Sequence, residues 1–154
     1  MSSKHHIVVA AKVTYIAQQS DAASNHYVFA YTMTITNKGT VAARLVSRHW
    51  IITDSNAEVQ EVKGAGVIGE QPLLQPEQSF EYTSGTAIAT AVGTMRGSYQ
   101  MVGEDGVQFD ATIPEFTLAV PRTLHLSGLR RLPVPVTSLE SGLRFASHLY
   151  KELA

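Results

Sequence analysis

A period of two in the apolar residues constrains the fold of this chain more than any other feature. Between Tyr27 and Asn37 the even positions carry small, branched or hydroxyl side chains. The odd positions carry large apolar ones, namely Tyr27, Phe29, Tyr31, Met33 and Ile35. Successive side chains of a β-strand point to opposite faces, so this segment is predicted to be a long strand with one large apolar face. The same alternation runs from Ile7 to Tyr15.

Other extended segments occur at short spacing along the chain. Their predicted bounds are Ala42–Thr53, Ser79–Ser84 and Thr94–Val102. Turn-forming residues separate them, as at Asn37-Lys38-Gly39, Asp54-Ser55-Asn56 and Gly103-Glu104-Asp105-Gly106. Several strands without an intervening helix predict an all-β fold, either an antiparallel sandwich or a barrel. Trp50 lies on a middle strand and is predicted to pack in the core.

The apolar alternation changes parity near Pro114. Odd positions are apolar from Phe109 to Ile113, whereas even positions are apolar from Phe116 to Val120. A β-bulge or bend at this point would bring both sets of side chains onto one core. Proline also favours a strand at the edge of a sheet. We therefore expect an irregular edge strand here.

A glycine motif stands between two predicted strands. It reads Lys63-Gly64-Ala65-Gly66-Val67-Ile68-Gly69-Glu70-Gln71-Pro72 and contains the G-x-G-x-x-G pattern of dinucleotide-binding loops. In a Rossmann unit the third glycine begins a helix that binds the pyrophosphate, but Pro72 and Pro76 oppose a helix after Gly69. Two interpretations stay open. The loop either offers free N–H groups to an anion, or connects strands with glycines that permit positive φ or close backbone approach.

Two arginines complete the candidate anion or pyrophosphate site. Its members are Lys63, Gly64, Gly66, Gly69, Arg48 and Arg96. A guanidinium group can hold a phosphate or carboxylate bidentately. Alternation places Arg48 on the same face of its strand as Trp50. The alternative role for these arginines is an ion pair within the fold, to Asp54, Glu70 or Glu81.

Neither a metal site nor a catalytic site is predicted. The six histidines show no i, i+4 pair, and no calcium-loop pattern is present. The G-x-S-x-G elbow of serine hydrolases is absent, and nothing assigns an acid to His49 and Ser84. We therefore expect a non-enzymatic protein without a cofactor.

Charge and composition exclude other classes of function. The net charge is −1 at pH 7, which gives no overall attraction to nucleic acid. Cysteine is absent, which fits a reducing compartment, and a cytoplasmic location is expected. No apolar run reaches the roughly 18 residues of a membrane span, and no signal-peptide pattern follows Met1.

The last part of the chain differs from the rest. We predict one sandwich domain over residues 1–125 and an extension over residues 126–154. Within the extension, Leu132-Pro133-Val134-Pro135-Val136 opposes a regular helix, whereas Ser138 can cap one short helix. Residues 122–154 carry five basic and two acidic residues, a net charge of +3, which leaves −4 for the first 121. The extension is interpreted either as a loosely packed tail or as a partner-binding helix.

Several separated motifs resemble the ApaG family in order and spacing. They are Tyr27-Val28-Phe29-Ala30-Tyr31, Ser47-Arg48-His49-Trp50-Ile51-Ile52-Thr53-Asp54, Gly64–Pro72, Glu81-Tyr82-Thr83-Ser84-Gly85, Gly93-Thr94-Met95-Arg96-Gly97-Ser98-Tyr99 and Ile113-Pro114-Glu115-Phe116. The resemblance covers about residues 4–125 and does not extend beyond them. It implies an antiparallel β-sandwich of the fibronectin type III or immunoglobulin-like kind.

The resemblance to the ApaG family also implies a function. Related domains are appended to F-box proteins and to a DNA-polymerase-interacting protein, where they resemble interaction modules. Bacterial members are associated with cobalt resistance and magnesium efflux, and no enzyme activity is established for them. We therefore expect a ligand- or protein-binding module, with a protein partner of unknown identity, linked to divalent-cation homeostasis. The alternative is a nucleotide- or pyrophosphate-binding protein that uses the loop Gly64–Gly69. The resemblance links this alternative to dinucleoside polyphosphates, because genes of the bacterial family commonly neighbour one for a diadenosine tetraphosphate hydrolase.

Overall fold

The computed structural model describes residues 3–121, which form eight β-strands and two short 3₁₀ helices. The strands are β1 Ile7–Tyr15, β2 Tyr27–Asn37, β3 Ala43–Asp54, β4 Val59–Ala65, β5 Leu73–Leu74, β6 Ser79–Ile88, β7 Val92–Gly103 and β8 Gln108–Ala119. The 3₁₀ helices, Ala17–Gln19 and Ala22–Ser24, connect β1 to β2. The predicted domain boundary after residue 125, the extension and its short helix lie outside the described residues.

The strands form two antiparallel sheets that pack as a sandwich. The smaller sheet has the order β1-β2-β6, and the larger sheet has the order β4-β3-β7-β8, with β5 paired to the start of β3. This confirms the predicted all-β sandwich. Strand β6 is longer than predicted, because Gly85 to Ile88 continue the ladder with β2 as far as Tyr27.

The irregular edge strand predicted around Pro114 is confirmed. Met95 of β7 pairs with Phe116 of β8, whereas Gly97 pairs with Ile113. Two residues of β8 therefore oppose Arg96 alone, which is the arrangement of a β-bulge. Both apolar sets of β8 consequently face the core, and β8 lies at the edge of its sheet.

The core lies between the sheets, and Trp50 is at its centre. Trp50 is 1% exposed, as predicted. Rings of Tyr31, Phe116 and Tyr99 surround it, with centroids 5.3, 5.9 and 6.3 Å from its own. Edge contacts between aromatic rings of this kind stabilise a core beyond the area that they bury.

The two ends of the sandwich carry different features. At one end β3 finishes at Asp54, opposite Gly93 near the start of β7, and β8 finishes at Ala119, opposite Val92. We call this the exit end, because the described chain leaves the sandwich there. The opposite end carries the hairpin predicted at residues 103–106, in which the Gly103 N–H donates to the Val107 carbonyl. Among residues 3–121 the structure contains no helix with the length and apolar character that crossing a bilayer requires.

Candidate functional site

The glycine motif folds as the end of β4 followed by a tight turn. The Val67 and Glu70 backbones exchange two hydrogen bonds of 2.8 and 2.9 Å. Between them Ile68 and Gly69 both have positive φ, 45° and 75°, which is the signature of a type I′ turn. Gly66 also has positive φ, 61°, and a Cβ on it would collide with the Glu70 carbonyl oxygen. Gly66 and Gly69 therefore meet backbone requirements of the turn.

The N–H groups of this loop are largely used within the fold. Gly66 N donates to the Val46 carbonyl at 2.8 Å, and the N–H groups of Val67 and Glu70 close the turn. An anion nest needs successive N–H groups that converge on a ligand. Of the two interpretations of the motif, this geometry favours the structural connection.

Arg48 packs against the glycine motif from the core side of the sheet. Its Nη1 donates to the carbonyl oxygens of Ala65 and Gly66 at 3.1 and 3.0 Å. The guanidinium group lies against Gly64, where a Cβ would be 2.7 to 2.8 Å from its atoms. Gly64 thus makes room for an arginine that binds backbone carbonyls of the loop, rather than an acidic side chain.

The structure does not bring Arg48 and Arg96, the two arginines of the candidate anion site, together on one face of the larger sheet. Arg48 pairs across the sheet with Tyr99, whereas Arg96 pairs with Ile51. Cross-strand partners share a face of the sheet, and residues an odd number apart on a regular strand lie on opposite faces. Arg48 therefore shares the core face with Trp50, as predicted, and Arg96 lies on the other face.

The outer face of the larger sheet brings together other members of the predicted site. Lys63 pairs with His49, and His49 pairs with Ser98, so these three residues share the face that also carries Arg96. His49 Nε2 contacts Glu61 Oε1 at 2.5 Å. Lys63 and Arg96 are exposed, and neither forms an ion pair with a described residue. The face therefore presents two exposed cations that form no ion pair with a described residue, alongside the carboxylates of Glu61 and Asp110.

The outer face of the smaller sheet is different in character. Its hydroxyl side chains bind one another across the strands, Thr32 with Thr83 and Thr36 with Ser79, each at 2.7 Å. These pairs satisfy four hydroxyl groups of that face within the fold, and exposed Lys12 beside Thr32 is the one basic residue of its three strands on that face. Such a surface leaves fewer groups for a ligand than the outer face of the larger sheet.

A cluster of buried tyrosines lies beside Arg48, and sequence reasoning missed it. The hydroxyl groups of Tyr82 and Tyr99 are 2.6 Å apart inside the core. Burial raises the pKa of Tyr31 to about 12 and raises the pKa of Tyr82 and Tyr99 well above the usual value. The nearby Arg48 guanidinium opposes each increase, because a cation stabilises phenolate. The only sign of this cluster in the sequence is that each of the three predicted strands has a tyrosine at an apolar position.

Stability is expected to fall steeply in alkali because of these tyrosines. An unfolded tyrosine ionises near pH 10, whereas folded Tyr31 keeps its proton to about pH 12, so the unfolded state binds fewer protons in that window. The stability that Tyr31 contributes is present below about pH 10 and is lost as pH rises towards 12, about 3 kcal/mol for this residue alone. Denaturant unfolding at a series of pH values measures the fall, and Tyr31→Phe should make it shallower. Ionisation of Tyr31, Tyr82 and Tyr99 near pH 10 in a protein that stays folded would contradict the prediction.

Metal ligands do not assemble in the described part of the chain. No three His, Asp or Glu side chains among residues 3–121 come together as a site for a metal ion. Asp105, on the hairpin between β7 and β8, binds His5 with Oδ2 and Nε2 2.8 Å apart. This carboxylate belongs to a contact that ties the N-terminal segment to the hairpin.

Comparisons with known proteins agree with the sequence resemblance. The family model for the ApaG domain matches residues 17–103. Proteins named ApaG from Thiobacillus denitrificans and Nitrosospira multiformis are 64% and 62% identical to this chain over 122 residues, which are 79% of this chain and 96% of each relative. The crystal structure of a Bordetella pertussis protein described as ApaA is 51% identical, with a TM-score of 0.77, and the match covers 80% of this chain and 100% of that one.

Proposed function

The chain belongs to the ApaG family, and from that premise we propose that it is a non-enzymatic binding module. Its binding surface is the outer face of the larger sheet, and its ligand is an acidic segment of another protein. The observation that carries the proposal is the pair of exposed cations, Lys63 and Arg96, which have no ion pair among the described residues. The outer face of the smaller sheet has one such cation, Lys12, and its hydroxyl groups bind one another, so the face with two cations is the better candidate.

The chemistry of the outer face suits carboxylates held by a strand or loop of a partner. Arg96 offers a planar fork for a carboxylate, and Lys63 offers a second, more mobile charge. His49 lies between their strands and already holds Glu61. Exposed charges of this kind contribute little to binding affinity. Their main effect is on the association rate and on the choice of partner.

The family association with cobalt resistance and magnesium efflux gives this module a cellular setting. We assign the module a place in divalent-cation homeostasis in a bacterial cytoplasm, through the protein that it binds. The cation itself is then handled by the partner. The protein ligand is favoured over a nucleotide, because the N–H groups of the glycine loop are largely bonded within the fold.

An amide-resolved titration of the full chain with hexaglutamate tests the proposal. We expect shifts at the amides of His49, Lys63 and Arg96, which fade as salt screens the charges. Arg96→Glu should weaken the binding about tenfold, since it removes one attraction and adds a repulsion. The matched control is Lys12→Glu, which makes the same charge change on the smaller sheet, where exposed Lys12 pairs with Thr32.

Separate titrations with other ligands distinguish the alternatives. ATP, diadenosine tetraphosphate and pyrophosphate are expected to leave the amides of Gly64–Gly69 unchanged, and so are Mg²⁺ and Co²⁺. Salt-sensitive shifts in that loop with a polyphosphate would replace our proposal with the nucleotide alternative. Equal losses of hexaglutamate binding in Arg96→Glu and Lys12→Glu would show that only net charge matters.

A further inference from the structure

A groove of about 310 Å³ opens between the two sheets at the exit end. Its apolar lining comes from both sheets, with Ile52 and Val59 on one side and Ala87 and Ile88 on the other. Asp54 and Glu58 also line it, and no lysine or arginine does. This volume is at the lower end of the range of roughly 300–1,000 Å³ for ligand pockets.

The groove is exposed, apolar and negatively charged. Val59 is 62% exposed, the highest value among the exposed large hydrophobic residues of the described chain, and Val92 at the same end is 47% exposed. Asp54 Oδ1 accepts hydrogen bonds from the N–H groups of Asn56 and Glu58, and neither Asp54 nor Glu58 has an ion pair with a described residue. The groove thus suits an occupant that combines aliphatic side chains with positive charge.

The described chain leaves the sandwich at the same end as this groove. The Val120 N–H donates to the Ala91 carbonyl at 3.0 Å, and Ala91 follows two residues after Ala89, which lines the groove. From β8 to β4 there are three strand spacings, a width of about 14 Å. The 33 residues from 122 to 154 begin at this point, and their net charge of +3 is opposite in sign to that of the preceding 121.

We propose that this groove is the docking site of the chain's own residues 130–136. The segment reads Arg130-Arg131-Leu132-Pro133-Val134-Pro135-Val136. In an extended backbone its aliphatic residues, at every second position, lie on one side and enter the groove. The prolines between them need no acceptor for an N–H, and the two arginines meet Asp54 and Glu58.

Length and tethering favour this occupant over a second copy of the chain. The eleven residues from Pro121 to Leu132 can span about 36 Å when extended, more than twice the width of the larger sheet. Attachment to the same chain through a short linker also gives an effective concentration in the millimolar range, which a separate molecule does not reach in dilute solution. Docking is therefore expected to be intramolecular and independent of protein concentration.

A spin label on the extension tests the docking in the full chain. The chain has no cysteine, so Thr137→Cys introduces a unique site for a nitroxide beside the docked segment. We expect strong paramagnetic broadening of the amides of Ile52, Asp54 and Ile88, and none at the hairpin of residues 103–106. The double variant R130E/R131E, carrying the same label, should lose most of this broadening.

The control variant is R144E/K151E, which makes the same charge change later in the extension and should keep the broadening. A mixed sample separates docking within a chain from docking between chains. It combines spin-labelled protein without isotope enrichment with isotope-enriched protein that has no spin label, so only contacts between chains can broaden the observed amides. Broadening of the groove amides in that mixture would assign the groove to a second copy and overturn the proposal. Broadening spread evenly over the body, or retained in R130E/R131E, would overturn it as well.

Discussion

Trp50→Ala is expected to lower the free energy of unfolding by about 3–5 kcal/mol, the range for truncation of a buried large aromatic residue. Trp50 is 1% exposed and packs against the rings of Tyr31, Tyr99 and Phe116, which come from both sheets. The variant leaves a cavity where the two sheets meet. Small domains are stable by only about 5–15 kcal/mol, so a large part of the stability is lost. Denaturant unfolding of both proteins measures the difference.

Trp50→Phe is the matched control for this prediction. The indole Nε1 is buried and has no hydrogen-bond partner among the described residues. A buried N–H without a partner is itself unfavourable, so phenylalanine removes that cost while it keeps much of the ring packing. We expect Trp50→Phe to cost less than half of the Trp50→Ala effect. A midpoint for Trp50→Ala close to that of the wild type would show that Trp50 does not hold the sheets together.

Gly66→Val is expected to destabilise the protein by about 2–5 kcal/mol through two effects at one position. A β-branched residue at φ 61° is strained by about 1–3 kcal/mol, and its Cβ collides with the Glu70 carbonyl oxygen. Gly69→Asn is the matched control, because Gly69 has a similar φ of 75° but open space around it. Asparagine adopts positive φ readily, so this control should cost less than about 1 kcal/mol.

The same variant distinguishes the two interpretations of the glycine motif. If the loop is structural, wild type binds no polyphosphate at millimolar concentration, and Gly66→Val changes only stability. If the loop is an anion nest, wild type binds pyrophosphate in a salt-sensitive manner, and Gly66→Val abolishes that binding in a protein that stays folded. We expect the first outcome, because the N–H groups of Gly66, Val67 and Glu70 already have backbone acceptors.

The alternation of apolar residues was sufficient to predict most strands but not their full length. It failed for the second half of β6, where Gly85, Thr86 and Ala87 offer no large apolar side chain. These residues are extended because β2 supplies a ladder partner for each of them. At β8 the same alternation predicted the bulge, because the parity change at Pro114 is visible in the sequence.

The candidate site was harder to predict, because it depends on how the strands align. Alternation placed Arg48 on the core face, but no sequence signal shows that β7 aligns Arg96 with Ile51. The composition of the outer face could be established only from the strand register, which places Lys63, His49 and Ser98 side by side on three strands. Likewise, the contact between the Tyr82 and Tyr99 hydroxyl groups joins β6 to β7 across the core.

The bulge in β8 has a consequence for the protein in a crowded solution. An unbroken edge strand offers a row of free donors and acceptors that can recruit a strand from another molecule. In β8 that row is interrupted at Pro114, which has no N–H, and the extra residue opposite Arg96 disturbs the regular spacing of the remaining groups. The irregularity that aligns the core therefore also makes this edge a poor template for self-association.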